Sequence, residues 1–398
     1  MTVSPLHADD LNLAAYNYHL PPERIAQNPV TPRDSSRLLV IPSTSQHLHH
    51  RFHELPHLLK PGDLLVLNNT RVLSARLYGR KVGGGKVELL LLEERERDCW
   101  LSLVRPGRRL KPGARIHFFG DRAPSNEEHE EPPKLAATVL AVDPATSGRI
   151  IQFEPPQGQS LLSMLEDVGI IPLPPYINHS EAEPEQYQTV YSEHLGSAAA
   201  PTAGLHFTDE LLEKLTQSGI DQCCITLHVG VGTFRPVESE NITEHTMHGE
   251  WFNVSQEVVD KIEATKARGG RVIAVGTTVT RALEGAAQSG KLKAMDGKTD
   301  LYIYPGYQWQ VVDGLVTNFH LPQSTLMMLV SALVGRERLL SLYEEAVAQE
   351  YRFYSFGDAM LVLPEARVEH PPLTAETVPS TEALPSAESL PSTNGSQS

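Results

Sequence analysis

Four short stretches concentrate the residue types that could do chemistry on a ligand. "AAPTAGLHFT", residues 199–208, sets Pro201 and Gly204 among small residues and places His206 just before a helix pattern. "LHVGVGTFRP", 227–236, carries His228, Gly230, Gly232, Thr233 and Arg235. "VIAVGTTVTRALEG", 272–285, passes from an apolar strand pattern through Gly276, Thr277 and Thr278 into a helix, and "VTNFHLPQST", 316–325, holds His320 between a strand and a helix. A histidine titrates near neutrality and can carry a proton either way. Glycines let a ligand approach the backbone, and a helix N-terminus offers free N–H groups to anions or hydroxyls. Three of the stretches also have a plain structural reading: a capped loop around His206, a turn at Gly230 and Gly232, a helix cap at Thr277 and Thr278. Together the four point to a nucleoside-like ligand in a shared cleft. The third stretch lacks the further glycines of a dinucleotide fingerprint and the lysine of a P-loop, which argues against nicotinamide-cofactor and ATPase chemistry. Three histidines at separate element edges and the three cysteines Cys99, Cys223 and Cys224 do not compose a metal set, so no metal is expected.

Such loops need elements to hold them. From about 156 onward the chain alternates strands and helices: "TDELLEKLTQSG" is a capped amphipathic helix ending at Gly219, "DQCCITLHVG" a strand, "QEVVDKIEATKARGG" a helix and "RVIAVG" a buried strand. "TRALEGAAQSG" continues as a helix, "DLYIYPG" and "QVVDGLVTNF" as strands, and "STLMMLVSALVGRERLLSLYEEAVAQ" as one or two helices. Between about 62 and 155 short apolar runs are separated by Gly, Pro and Asp with no helical period, from "DLLVLNNT" to "GRIIQFE". The expected architecture is a layered α/β main domain, 1–61 and 156–365, with an inserted small β-barrel domain, 62–155. The acidic "EEHEEPP" would be a hairpin loop, and the segment after about 366, rich in Pro, Ser, Thr and Glu, a disordered tail. At 398 residues, two domains are more natural than one core.

The net charge of −15 excludes indiscriminate nucleic-acid binding, so any such footprint must be local. Basic residues do gather in the β module: Arg71, Arg76, Arg80, Lys81 and Lys86, then Arg105, Arg108, Arg109, Lys111 and Arg115. They suit either a solvated face or a track for a phosphate backbone. No run approaches the roughly 20 apolar residues of a membrane span. The start, "MTVSPLHADD", has neither a basic nor an apolar leader region, and the cysteine usage fits a reducing compartment, so a cytoplasmic location without membrane attachment is expected.

These loops, in this order, resemble the S-adenosylmethionine:tRNA ribosyltransferase-isomerases. The likeness runs from "YNYHLPPERIAQNP" at 16–29 through "GDLLVLNNTRVLSARL", "PLPPYI", "YQTVY", "AAPTAGLHFT", "TLHVGVGTFRPV", "VGTTVTRALE", "YPGY" and "TNFHLPQSTLMMLVSAL" to "YRFYSFGDAML" at 351–361. The family usually has Asp where this chain has Asn69, and a proline near Ser74. The resemblance implies transfer and isomerisation of the ribosyl part of S-adenosylmethionine onto 7-aminomethyl-7-deazaguanine in a tRNA anticodon. Epoxyqueuosine forms, and adenine and methionine leave. It implies S-adenosylmethionine as co-substrate, a monomer, and a general base to take a C5′ proton: His206 first, His228 next, Asp358 in "FGDAM" as the third candidate. Thr202, Gly204, Gly230, Gly232, Thr233, Arg235, Thr277, Thr278 and His320 would contact S-adenosylmethionine, with His320 shaping the cleft or meeting the modified base. Arg71, Arg76, Arg105, Arg108, Arg109 and Lys111 would meet tRNA, and Asp34 would pair with Arg37. The alternative is a tRNA-binding homologue without catalysis, favoured only by Asn69.

Overall fold

The computed structural model describes residues 2–3, 6–121, 123, 131–144, 146–230 and 237–369. Its backbone is a nine-stranded mixed sheet joined to a smaller closed barrel. Across the large sheet the strands run in the order Met295–Thr299, Glu250–Val254, Asp221–Leu227, Leu64–Asn68, Val272–Val275, Gly314–Asn318, Ala359–Val362, Arg37–Ile41 and Leu48–Arg51. The middle four, Asp221–Leu227 through Gly314–Asn318, are parallel to one another. Their carboxyl ends therefore share one edge. Ala359–Val362 runs antiparallel to its neighbour, with Ala359 opposite Asn318, and Arg37–Ile41 is parallel to it. Their starting residues accordingly come to the same edge, where ligands of open α/β sheets bind.

The inserted barrel closes through six antiparallel strands: Arg76–Lys81, Lys86–Glu96, Cys99–Arg105, Arg149–Glu154, Leu135–Val142 and Arg115–Phe118. Closure comes where Gly79 faces Phe118. A Cβ at Gly79 would sit 2.6 Å from the His117 carbonyl oxygen, so the seam requires glycine. Alternate residues point inward, including Leu77, Val87, Leu89, Leu91, Ile116, Phe118, Leu135, Ala137 and Val139. The helix Leu161–Val168 adds Leu161, Met164, Leu165 and Val168, spaced at i, i+3, i+4 and i+7, to the same core.

Two boundaries differ from the sequence expectation. The run opening the β module, Leu64–Asn68, lies in the centre of the large sheet with all five residues buried, whereas the barrel strands alternate. The barrel side instead extends past 155, through the helix just described and the pairing of Gly169–Ile170 with Arg76–Leu77. The expected helices form, with Thr208 capping Asp209–Gln217 and Ser324 capping Thr325–Val334 through 3.2 Å hydrogen bonds. The long final pattern breaks into two helices at Gly335, whose φ is +84°. Of the expected tail, Pro364–Ala366 is a 3-10 turn and Val368–Glu369 pairs with Thr2–Val3; 370–398 lies outside the described residues, as does most of "EEHEEPP".

The stretch "DLYIYPG" is not a strand; the strand precedes it, at Met295–Thr299. The coil that follows is tied from a distance. Fully buried Glu284, on helix Thr277–Ala286, accepts hydrogen bonds from the Tyr307 hydroxyl and the backbone amides of Gln310, Val311 and Val312. We expect Glu284→Ala to leave these donors unpaired at about 1–3 kcal/mol each. A denaturation midpoint far below that of the parent checks this; a midpoint within experimental error would contradict it.

Candidate active site

Asn318 ends a central strand and its side chain is only 4% exposed. Its Nδ2 donates to the Tyr354 carbonyl (3.1 Å) and to His206 Nε2 (3.2 Å), and its Oδ1 accepts from the Thr202 hydroxyl (3.3 Å). One amide thus ties together the loops at 202–206, 318–324 and 354–358. Asn68, at the end of the neighbouring strand but one, does the same for the other side. Its Oδ1 accepts from the amides of Thr70 and Leu227, and its Nδ2 donates to the Leu227 carbonyl and the Thr278 hydroxyl.

The space these loops enclose is a cavity of about 800 Å3, counting its open mouth. Its walls include Thr202, Thr277, Thr278, Asn318, His320 and Ser355, with the rings of Tyr176, Tyr187, Phe319 and Tyr354. Helix Thr277–Ala286 points its first turn here. Gly276 is its N-cap, at φ +95°, and supplies no side-chain cap, so the first amides stay free for a ligand. The Tyr176 ring lies tilted against Tyr354, centroids 4.7 Å apart, and its hydroxyl meets Ser355 Oγ at 2.7 Å. The wall combines aromatic rings with hydroxyl groups, a combination that suits a nucleoside.

Of the residues read from the sequence, Thr202, Thr277, Thr278 and His320 line this cavity. His206 does not. It is fully buried beneath it, stacked on Phe52 at 4.9 Å. Asn318 Nδ2 and the Arg33 guanidinium (3.4 Å) both donate to its Nε2, so the proton sits on Nδ1 and is given to Ser36 Oγ at 2.7 Å. Burial, then the charges of Arg33 and Arg352, hold its pKa well below the ordinary value. This neutral ring positions a loop. Gly204 is also turned away from the cavity: a Cβ there would lie 2.2 Å from the Tyr191 hydroxyl. Asp358 spends its two oxygens on the amides of Arg37 and Arg352, both at 2.8 Å, pinning the strand start. The expected Asp34–Arg37 pair is absent; Arg37 lies over the Tyr351 ring and donates to the Gln349 carbonyl.

His228 lines an adjacent cleft between barrel and sheet with Gly230, Trp251, His248 and Glu250, while Val229 lines both spaces. Its ring stacks on Trp251 at 4.8 Å, and Nδ1 meets the Thr70 hydroxyl at 2.8 Å. A Cβ on Gly196 would come within 2.6 Å of Nε2, so that glycine makes room for the ring. Burial, then His194, lower its pKa. Gly232, Thr233 and Arg235 lie outside the described residues. Arg71, outside the barrel, faces Glu166; on the barrel Arg76 faces Glu88, while Arg105, Arg108, Arg109 and Lys111 are exposed along one turn and form no ion pair among the described residues. His320, buried with Nε2 against Thr317 Oγ1 at 2.8 Å, has its pKa pushed down to about 3 by burial.

Comparison with known proteins bears on what this site does. The family model described as "Queuosine biosynthesis protein" matches residues 13–362. The chain belongs to that family. It is 61% identical over 371 residues to the S-adenosylmethionine:tRNA ribosyltransferase-isomerase of Nostoc sp., covering 90% of this chain and 93% of that one. The protein of the same name from Thermosynechococcus vestitus is 58% identical over 362 residues, covering 90% and 98%. The crystal structure of S-adenosylmethionine tRNA ribosyltransferase from Thermotoga maritima is 39% identical, covers 88% of this chain and 100% of that one, and superposes with a TM-score of 0.50. The resemblance drawn from the sequence blocks is thus borne out, and the chain is a transferase of queuosine biosynthesis.

Sequence reading missed Asn318 and Ser355 and the aromatic wall, although "PLPPYI", "YQTVY" and "YRFYSF" carried the signal: tyrosines clustered in loops beside proline and serine.

Two outcomes follow. A carboxylate cannot donate to His206 and the Tyr354 carbonyl, so Asn318→Asp is expected to lower kcat/KM about 100-fold through misplaced loops; unchanged kinetics would contradict the assigned role. His206 and His320 bind protons in the unfolded chain below about pH 6.5 and resist them when folded, so stability falls as pH drops, by about 1.4 kcal/mol per pH unit for each. Denaturant titrations from pH 6 to 5 check this, the slope falling by that amount in His320→Gln.

Proposed function

We propose that the chain transfers and isomerises the ribosyl moiety of S-adenosylmethionine onto 7-aminomethyl-7-deazaguanine in tRNA, releasing adenine and methionine. The observation carrying this reading is the aromatic and hydroxyl-lined cavity at the carboxyl edge of the parallel strands, in a chain of this family. S-adenosylmethionine, a substrate, fits the donor set: rings for the purine, Thr202, Thr277 and Thr278 with the free helix amides for ribose or carboxylate oxygens. The sulfonium acidifies the C5′ hydrogens, so the first need is a base. His228 is the better candidate, because its ring borders a cleft that shares Val229 with the cavity, whereas His206 is fully buried. Ring opening expels adenine, the aminomethyl group attacks, and epoxide closure releases methionine. The cavity supplies position and exclusion of water.

Against the non-catalytic alternative stands the position of Asn69, the feature that favoured it. Asn69 lies away from the cavity, accepting from the Thr226 hydroxyl at 2.7 Å and donating to Glu193 at 3.2 Å. The exposed turn 105–111 would track the tRNA backbone.

Adenine release on incubation with S-adenosylmethionine and precursor tRNA tests the proposal; tRNA binding without release would overturn it in favour of the non-catalytic homologue. We expect His228→Ala to lose about 100-fold or more in kcat with the fold kept. Removing Arg108 or Lys111 should lower the salt dependence of tRNA binding by about one unit of slope each.

A further inference from the structure

Away from the cavity, at the outer edge of the large sheet, three side chains converge that no part of the proposed reaction uses. His47 and His49 stand two residues apart at the edge strand Leu48–Arg51, an i, i+2 spacing that puts both on one face. Glu345 reaches them from the helix Arg336–Ala348. The His47 Nε2 atom lies 2.9 Å from Glu345 Oε2, and His49 Nε2 lies 3.1 Å from Oε1. One ligand atom from each residue can be chosen so that all three lie within 4.8 Å of one another. In a tetrahedral zinc site, bonds of about 2.0–2.1 Å to nitrogen and oxygen put neighbouring ligand atoms about 3.3 Å apart, so these groups need only small adjustments to hold an ion.

The surroundings orient the ligands. The Tyr351 hydroxyl sits 2.7 Å from His49 Nδ1 and turns Nε2 toward the cluster, where the Gln349 amide nitrogen lies 3.3 Å from Nε2 and donates to Glu345 Oε1 at 2.9 Å. Arg338 holds the Gln46 carbonyl at 2.7 Å, fixing the strand entry against the helix. Each of the three side chains is about one-third exposed, at 32%, 32% and 34%, so an ion can enter and keep water in the remaining position.

We propose that His47, His49 and Glu345 bind one divalent transition-metal ion of the zinc class, joining the edge strand to the helix Arg336–Ala348. Two imidazoles and a carboxylate select such an ion over magnesium or calcium, which prefer all-oxygen sets.

Calorimetric titration of the full chain with zinc chloride tests this. One ion per chain should bind with a dissociation constant on the order of micromolar, and His49→Ala and Glu345→Gln should each weaken binding about tenfold or more. Zinc should raise the melting temperature of the parent and not of these variants, and cobalt should give the visible absorption of a four-coordinate N/O site. His50→Ala, whose ring faces Glu54 instead, should bind as the parent does. No saturable binding, or the same binding in the His47→Ala/His49→Ala double variant, would overturn the proposal. Neither result depends on what the cavity does.

Discussion

The site rests on two buried asparagines at strand ends. A carboxamide both donates and accepts, and at the carboxyl edge of a parallel sheet it meets loops that offer carbonyls, amides and hydroxyls in fixed places. Asn318 gathers the loops that carry Thr202, His206 and Tyr354, and Asn68 gathers Thr70, Leu227 and Thr278. Each hydrogen bond is worth about 1 kcal/mol net, but leaving such buried groups unpaired costs more, so the loops hold one arrangement. The cavity is what remains between them.

That arrangement also explains why two of its histidines are neutral. His206 and His320 are buried enough that a charge on either ring is poorly solvated, so both act as oriented dipoles that hold neighbouring polar groups in place. His228 stands apart in a more open cleft, backed by Trp251 and held by Thr70. Histidines that a sequence presents as equivalent thus sit in different surroundings, two buried among hydrogen bonds and one bordering a cleft. Among the described residues no helix is long and apolar enough to cross a membrane.

Much of the architecture was legible in the sequence because its signals are local. Ser and Thr caps marked the helices at Thr208 and Ser324, and short apolar runs between Gly, Pro and Asp marked the barrel strands. Leu64–Asn68 was misplaced although its unbroken apolar run is what a doubly covered central strand needs. "DLYIYPG" alternates like a strand, yet its chain is held by Glu284 from a helix that precedes it, an interaction no local pattern carries. The site was legible as four loops, not as roles. Whether Gly204 faces a ligand or Tyr191, and whether His206 meets solvent or Phe52, is decided by long-range packing.

The central claim is that S-adenosylmethionine occupies the cavity at the strand ends. Hydrogen-exchange mass spectrometry of the full chain with and without S-adenosylmethionine tests it directly. The account expects added protection in peptides covering Thr202–Ala203, Thr277–Val279 and Phe319–Leu321, with the barrel strands unchanged. Protection confined to the barrel, or none at saturating ligand, would contradict it.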